Sequence, residues 1–153
     1  MSAAAATGRA ALVAVVTIAL DQVVKALVRS GIGLGGQVDV IPGIHLVHVR
    51  NSGVAFGFFA GGGGLLVVVA VLALAALLAF FVTHIGRPLA WLPTGLLIGG
   101  AAGNLVDRLR DGAVTDFVKL PHWPAFNVAD MAITVGVLVL VYLLEGPPRR
   151  AGP

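Results

Sequence analysis

Two aspartates in a strongly apolar chain are the residues best suited to catalysis. Asp116 stands in segment 115–117 (TDF), and Asp130 ends segment 126–130 (FNVAD), which opens a long apolar stretch. When two carboxyl groups share a site, their repulsion raises the pKa of one, so that one is ionised while the other stays protonated. Such a pair can hydrolyse an amide, because the ionised member activates water and the protonated member polarises the carbonyl group.

Other catalytic chemistries fit the sequence less well. The chain has no cysteine, which excludes thiol catalysis and cysteine-based metal sites. Ser52 lacks the glycine pattern of a nucleophile elbow. His45 and His48 are three residues apart in a predicted strand, so their side chains should point to opposite faces. We therefore expect neither a metal nor a cofactor, and the carboxylates remain the catalytic candidates.

The composition is that of an integral membrane protein. Hydrophobic residues make up 58% of the chain and charged residues 11%, and the mean hydropathy is +1.00. Residues 1–153 are expected to form a single membrane domain. Ionisable groups near membrane depth are costly, so they are functional candidates by default.

Four apolar stretches predict four transmembrane helices. The clearest runs from Leu65 to Val82, where 18 consecutive residues are apolar. As a helix it would span about 27 Å, close to the thickness of a hydrocarbon core. The predicted third span carries Gly95, Gly99 and Gly103, whose spacing of four favours close helix contacts. The predicted fold is an all-α membrane protein, a four-helix transmembrane bundle with approximate spans 10–28, 65–82, 89–106 and 126–144.

The connection between the first two spans is too long to be a simple linker. Residues 29–64 form it, and the segments Gln37–Ile41 and Ile44–Val49 are rich in Val and Ile and partly alternate with polar residues. We expect a small β-sheet in this loop, lying at the membrane interface.

Alternating helix directions would place most acids at one membrane face. Six of the seven acids fall there, and only Glu145 falls on the other. Six Lys and Arg residues share that acidic face and four lie opposite, so the positive-inside rule leaves the orientation open. The acids of the shared face are Asp21, Asp39, Asp107, Asp111, Asp116 and Asp130.

Polar residues at helical spacing could support the two aspartates. Asn104, Asp107, Arg108 and Asp111 share one face if the third helix continues that far. Simpler interpretations exist for each of these groups. Asn127 could be a helix N-cap with Asp130 in the first turn, Asp107 and Arg108 could form an interfacial ion pair, and Asp116 could be a solvated loop acid.

Five blocks in order resemble the lipoprotein signal peptidases, also called signal peptidase II. They are 21–25 (DQVVK), 51–57 (NSGVAFG), 103–108 (GNLVDR), 115–117 (TDF) and 126–130 (FNVAD). The resemblance implies a bacterial aspartyl endopeptidase that removes signal peptides from prolipoproteins. It would cut just before a cysteine that already carries diacylglycerol.

The resemblance also implies roles for individual residues. Asp116 and Asp130 would be the catalytic pair, and the residues that line or brace the site would be Asp21, Asn51, Asn104, Asp107, Arg108 and Asn127. The protein would be a multi-pass protein of the cytoplasmic membrane, with both termini cytoplasmic and the active site near the extracytoplasmic face. Its partners would be lipid-modified prolipoproteins and membrane lipids, not nucleic acid, and we expect a monomer.

Two alternatives and one departure accompany this interpretation. A small transporter or channel could use the same carboxylates to relay protons or bind cations, and a non-catalytic membrane subunit could use them to hold helices together. Only 13 residues separate Asp116 from Asp130, fewer than the resemblance implies. The segment Pro121–Pro124 must therefore make a tight return.

Overall fold

A computed structural model describes residues 2–52 and 89–145 of the chain, together with eight isolated helical positions between 68 and 83. Helices and short strands alternate along it. The elements are α1 (Ala3–Gly31), β1 (Gln37–Ile41), β2 (Ile44–Asn51), α2 (Trp91–Asp111), β3 (Val114–Lys119) and α3 (Val128–Glu145).

The helices agree with three of the four predicted spans but differ in their ends. α1 begins seven residues before span 10–28 and has 29 residues, and among the described residues it is the one helix long and apolar enough to cross a membrane. α2 runs past span 89–106 to Asp111, which gives Asp107 and Arg108 helical geometry. The second span, 65–82, falls mostly outside the described residues, so the four-helix count stays a prediction.

Small residues bring α2 against both other helices. A Cβ added at Gly95 would lie 2.7 Å from Ala10 O of α1, and one at Gly99 would lie 2.8 Å from Ala14 O. On the other side of α2, a Cβ at Gly100 would lie 2.5 Å from the carbonyl oxygen of Ala129 in α3. Each distance is shorter than a normal contact, so the close helix approach predicted from the glycine spacing is confirmed.

The sheet has one strand more than the sequence predicted. β1 and β2 form the expected antiparallel hairpin, although β2 extends to Asn51, and Gly43 turns the chain with a φ of 84°. β3 then pairs antiparallel with β2, in the order β1-β2-β3. The sheet is therefore not confined to residues 29–64. The six residues of β3 were not predicted as a strand because a short segment interrupted by a charge gives little signal without its partner.

A compact return links β3 to α3. The amide of Phe126 donates to Val118 O at 3.0 Å, and the amide of Val118 donates to Phe126 O at 2.8 Å. Between them His122 adopts a left-handed conformation, with a φ of 58°. The short link between the two aspartates thus folds back to pair with β3, which places the start of α3 beside that strand.

Candidate active site

Asp116 is buried in β3 rather than solvated in a loop. Its side chain lies on the same face of the sheet as Asn51, and only 2% of its surface is exposed. The Oδ2 atom accepts a hydrogen bond from Asn51 Nδ2 at 2.9 Å, and Oδ1 accepts one from Asn127 Nδ2 at 2.7 Å. The interpretation of Asp116 as a solvated loop acid is therefore wrong.

Asp130 lies in the first turn of α3, where it forms a capping box. Asn127 Oδ1 accepts from the amide of Asp130 at 2.9 Å, and Asp130 Oδ2 accepts from the amide of Asn127 at 3.2 Å. The other carboxylate oxygen, Oδ1, accepts from Asn104 Nδ2 at 2.9 Å. The cap predicted from the sequence is thus present, and one carboxylate oxygen is held by α2.

Asn127 connects the two carboxylates. Its oxygen serves the cap, while its amide nitrogen lies 2.7 Å from Asp116 Oδ1 and 3.2 Å from Asn104 Oδ1. The side chain is fully buried. The oxygen and the nitrogen of this amide group have separate partners. Asn127 is therefore both a helix cap and a bridge from Asp116 to Asn104, the residue that binds Asp130.

A buried lysine lies behind this pair. Lys25 Nζ is 2.7 Å from Asp21 Oδ2, 2.9 Å from Asp107 Oδ2 and 3.0 Å from Asn104 Oδ1. An ammonium group has three donors, so these contacts use all of them. Lys25 and both aspartates are almost completely buried. The positive charge stabilises two carboxylates that would be very costly alone.

The two carboxylates around Lys25 fix the segments that carry Asp116 and Asp130. Asp21 Oδ1 accepts from the amide of Ala129 at 2.9 Å, next to Asp130 in α3. Asp107 Oδ2 accepts from the amide of Thr115 at 3.1 Å, next to Asp116 in β3. The buried network therefore sets the position of both candidate catalytic residues through their backbone.

Two members of the network were not among the predicted site residues. Lys25 is one, and the other is Gln22, whose Nε2 atom donates to Asp107 Oδ1 at 2.9 Å and to Gly103 O at 3.2 Å. A signal for Lys25 was available, because a lysine four residues after an aspartate in an apolar helix can pair with it. Gln22 gave no comparable signal.

Arg108 and Asp111 occupy different places from those expected. Asp107 pairs with Lys25 instead of Arg108, so the suggested interfacial ion pair is wrong. Arg108 Nη1 lies 3.4 Å from Asn104 O, and its buried Nε has no hydrogen-bond partner among the described residues. The side chain of Asp111 faces Arg110 at 3.9 Å and takes no part in the network. Asp39, in β1, is exposed and paired with His45.

The environment of Asp116 favours its protonated form. Burial raises the pKa of Asp116 to about 6, and repulsion from the charge of Asp130 adds to this effect. The hydrogen bonds from Asn51 and Asn127 act in the opposite direction but are outweighed. A carboxyl group that exchanges its proton near neutral pH is suited to acid-base catalysis.

Each candidate carboxylate borders a cavity. The one beside Asp116 has a volume of about 220 Å³ and is also lined by Asn51, Ser52 and Pro124. The one beside Asp130 has a volume of about 390 Å³ and is mostly apolar, with Trp123, Phe126 and Met131 among its lining residues. Each carboxylate therefore borders a space that a substrate group could enter, and the larger of the two spaces is mostly apolar.

Comparisons with known proteins agree on one family. A family model described as Signal peptidase (SPase) II matches residues 13–144. A lipoprotein signal peptidase of Moorella thermoacetica is 42% identical over 143 residues, covering 92% of this chain and 95% of the relative. One of Halothermothrix orenii is 38% identical over 134 residues, covering 87% and 92%.

Solved structures give the same result for the fold. A bacterial membrane enzyme whose structure was determined by the in meso method at 1.9 Å resolution superimposes with a TM-score of 0.83. It is 30% identical to this chain and covers 90% of it, while the match covers 92% of that enzyme. A second structure of a bacterial membrane enzyme, at 2.3 Å resolution, has the same TM-score and identity.

Proposed function

We infer that the chain, which belongs to the signal peptidase II family, is a membrane protease that removes the signal peptides of bacterial lipoproteins. We further propose that its substrates are diacylglyceryl-modified prolipoproteins and that it cuts just before the lipid-bearing cysteine. The observation that carries the chemical part of this proposal is the pair of carboxylates, Asp116 and Asp130, joined through Asn127.

Asp116 and Asp130 would act as a dyad with one shared proton. Because burial raises the pKa of Asp116 to about 6, we assign the proton to Asp116 and the negative charge to Asp130. Asp130 would remove a proton from a water molecule, whose oxygen attacks the scissile carbonyl carbon, while Asp116 gives its proton to the carbonyl oxygen. When the tetrahedral intermediate collapses, the proton on Asp130 would pass to the leaving nitrogen, and Asp116 would recover its own.

The remaining polar residues would orient the dyad. Asn51 and Asn127 hold the carboxylate of Asp116, Asn104 holds that of Asp130, and all three use side-chain amide donors. Amide donors fix a carboxylate without adding charge, so they leave the shared proton in place. Asp21 and Asp107 would act further back, through the backbone amides beside the dyad. Arg108 would brace the site from α2, where its Nη1 lies 3.4 Å from Asn104 O.

The apolar cavity beside Asp130 suggests how a lipid-modified substrate enters. Trp123, Phe126, Met131 and Val135 line it, and Trp123 and Met131 are also exposed at the surface. An acyl chain or the apolar part of a signal peptide could move from the bilayer into this cavity at little cost in free energy, because both surroundings are apolar. The scissile bond would then lie beside Asp130 and Asp116, and the smaller cavity that Asp116 borders would be open to the rest of the substrate.

We propose the membrane arrangement on the same grounds. Four helices would cross the cytoplasmic membrane, the second of them formed by 65–82, with both termini cytoplasmic. The sheet and the ends of α1 and α2 that carry Asp21 and Asp107 would then lie at the extracytoplasmic face. We propose that the protein acts as a monomer.

Cleavage of matched peptides tests the proposal. The purified protein in detergent would be incubated with one precursor peptide in two forms, with and without diacylglycerol on the cysteine. We expect cleavage of the lipidated form alone, with the new amino terminus at the modified cysteine by mass spectrometry. Cleavage of neither form by a folded protein would contradict the proposal and favour a transporter, and equal cleavage of both would contradict the lipid requirement.

A further inference from the structure

A third cavity, with a basic lining, lies beside the β2–β3 pair. In the antiparallel pairing of β2 with β3, Arg50 stands opposite Thr115, and Val49 stands opposite Asp116. Neighbouring residues of a strand point to opposite faces, so Arg50 and Thr115 share the face that Asp116 does not use. The cavity has a volume of about 210 Å³ and is lined by Arg29, Leu34, His48, Arg50, Asp111 and Thr115.

The lining of this cavity carries a positive charge. Arg29 and Arg50 outnumber the single lining acid, Asp111, which also faces Arg110 at 3.9 Å. Behind the lining, Arg29 Nη1 lies 3.9 Å from Asp107 Oδ1, but that carboxylate is already paired with Lys25. Arg29 Nη1 donates to Thr115 Oγ1 at 3.2 Å, and Arg50 Nη2 donates to the carbonyl oxygen of Asp111. A guanidinium group has five N–H donors, so these bonds hold each arginine in place and leave donors for a ligand.

The position of the cavity indicates what kind of anion it would receive. It lies just beyond the end of α1, and its wall includes Leu34, which is 65% exposed. The last turns of α1 expose Val23 and Leu27 as well. A ligand with a negatively charged headgroup and apolar chains would match a basic cavity next to an apolar helix surface. Its headgroup would lie between the arginines and its chains along α1.

We propose that this cavity binds the phosphate group of an anionic membrane phospholipid. Two arginines at fixed positions suit a phosphodiester, because the planar guanidinium pairs with two phosphate oxygens at once. The cavity does not include Asp116 or Asp130 among its lining residues, although Arg50 lies at the border between it and the cavity beside Asp116. It would fix the end of α1 and the sheet at the level of the lipid headgroups.

Three matched ligands separate the phosphate from the acyl chains. Dioleoyl phosphatidylglycerol has both, dioleoylglycerol lacks the phosphate, and glycerol phosphate lacks the chains. Binding to the full chain in non-ionic detergent would be followed by native mass spectrometry and by the shift in unfolding temperature. We expect phosphatidylglycerol to bind at least about tenfold more tightly than either other ligand, as expected when one charge-assisted hydrogen bond or more is lost.

Arginine variants locate the binding. Arg50→Gln should weaken phosphatidylglycerol binding by about tenfold, and Arg50→Lys should weaken it less because the charge remains. Arg110→Gln is the matched control, because Arg110 is exposed nearby without lining the cavity. Arg29→Gln should weaken binding as well, and it assigns the loss to this cavity because Arg29 does not line the cavity beside Asp116.

Four results would overturn the proposal. Unchanged binding by the folded Arg50→Gln variant would remove the cavity as the site, and an equal loss in Arg110→Gln would indicate general surface charge. Glycerol phosphate binding as tightly as the lipid would assign the cavity to soluble phosphate. Dioleoylglycerol binding as tightly as phosphatidylglycerol would show that the phosphate contributes nothing.

Discussion

Replacing Asp116 by asparagine should abolish turnover and stabilise the folded protein at neutral pH. The pKa of Asp116 is raised from 3.8 to about 6, chiefly by burial. The fold therefore favours the protonated carboxyl group. Its stabilising contribution is complete below the ordinary pKa and is lost as the pH rises through about 6. Asparagine has nearly the same shape and does not ionise, so Asp116→Asn escapes this loss.

The size of the effect follows from the shift. Two pKa units correspond to about 3 kcal/mol, and partial solvent screening reduces this to about 1–3 kcal/mol. For a chain of this length, each kcal/mol of added stability raises the unfolding temperature by about 2–4 °C. The variant keeps an acceptor for Asn127, and Asn51 can turn its amide oxygen toward the new donor. Loss of one member of an acid-base pair should lower turnover by at least about 100-fold.

Two measurements on the same samples test this reasoning. Unfolding temperature in detergent would be followed from pH 4 to pH 8, and turnover would be measured with the lipidated peptide. The gap between Asp116→Asn and the wild type should widen as the pH rises from about 4 to about 6 and stay constant at higher pH. The matched control is Asp39→Asn in β1, because Asp39 is exposed and hydrogen bonding from Gln37 and His45 lowers its pKa. Asp39→Asn should keep full turnover and show no such gain.

Either of two outcomes would refute the reasoning about Asp116. Parallel stability curves for wild type and Asp116→Asn would mean that burial does not raise the pKa of this carboxyl group. Turnover above about one tenth of the wild-type value would mean that Asp116 is not a member of the catalytic pair, whatever the stability curves show.

The other predictions concern the network and the reaction. Lys25→Met should cost about 3–5 kcal/mol of stability, because it leaves Asp21 and Asp107 buried without their cation; an unchanged unfolding temperature would contradict this. Gly103→Ala should cost about 1–3 kcal/mol of stability, since the new Cβ would lie 2.8 Å from Asp21 Oδ2. The control is Gly8→Ala, which should cost no stability because its Cβ meets nothing within 4 Å. Asn127→Ser should preserve most of the helix cap, as measured by thermal unfolding. It should nevertheless lose turnover, because serine has no amide donor for Asp116. An active Ser variant would show that the bridge is dispensable. If Asp116 holds the shared proton, kcat/KM should fall as the pH rises through about 6, and a flat profile up to pH 9 would assign the proton elsewhere.

The sequence was sufficient for the features that depend on neighbouring residues. The helical spans at the beginning and end of the chain follow from continuous apolar stretches, and the β1–β2 hairpin follows from alternating Val and Ile around Pro42 and Gly43. The cap formed by Asn127 and Asp130 was also predictable, because both partners lie within four residues. The five ordered blocks identified the family, and the comparisons confirm it.

Only the tertiary structure revealed β3, the role of Lys25 and the basic cavity. β3 becomes a strand because β2 lies beside it, and β2 is more than sixty residues away in the chain. Lys25 joins groups from α1 and α2, while Asp21 reaches the amide of Ala129 across 108 positions. Hydropathy and spacing describe what one segment prefers. Whether a buried charge meets its partner depends on how helices and strands pack in three dimensions. The chemistry of the two aspartates could therefore be predicted from the sequence, whereas the groups that surround them could not.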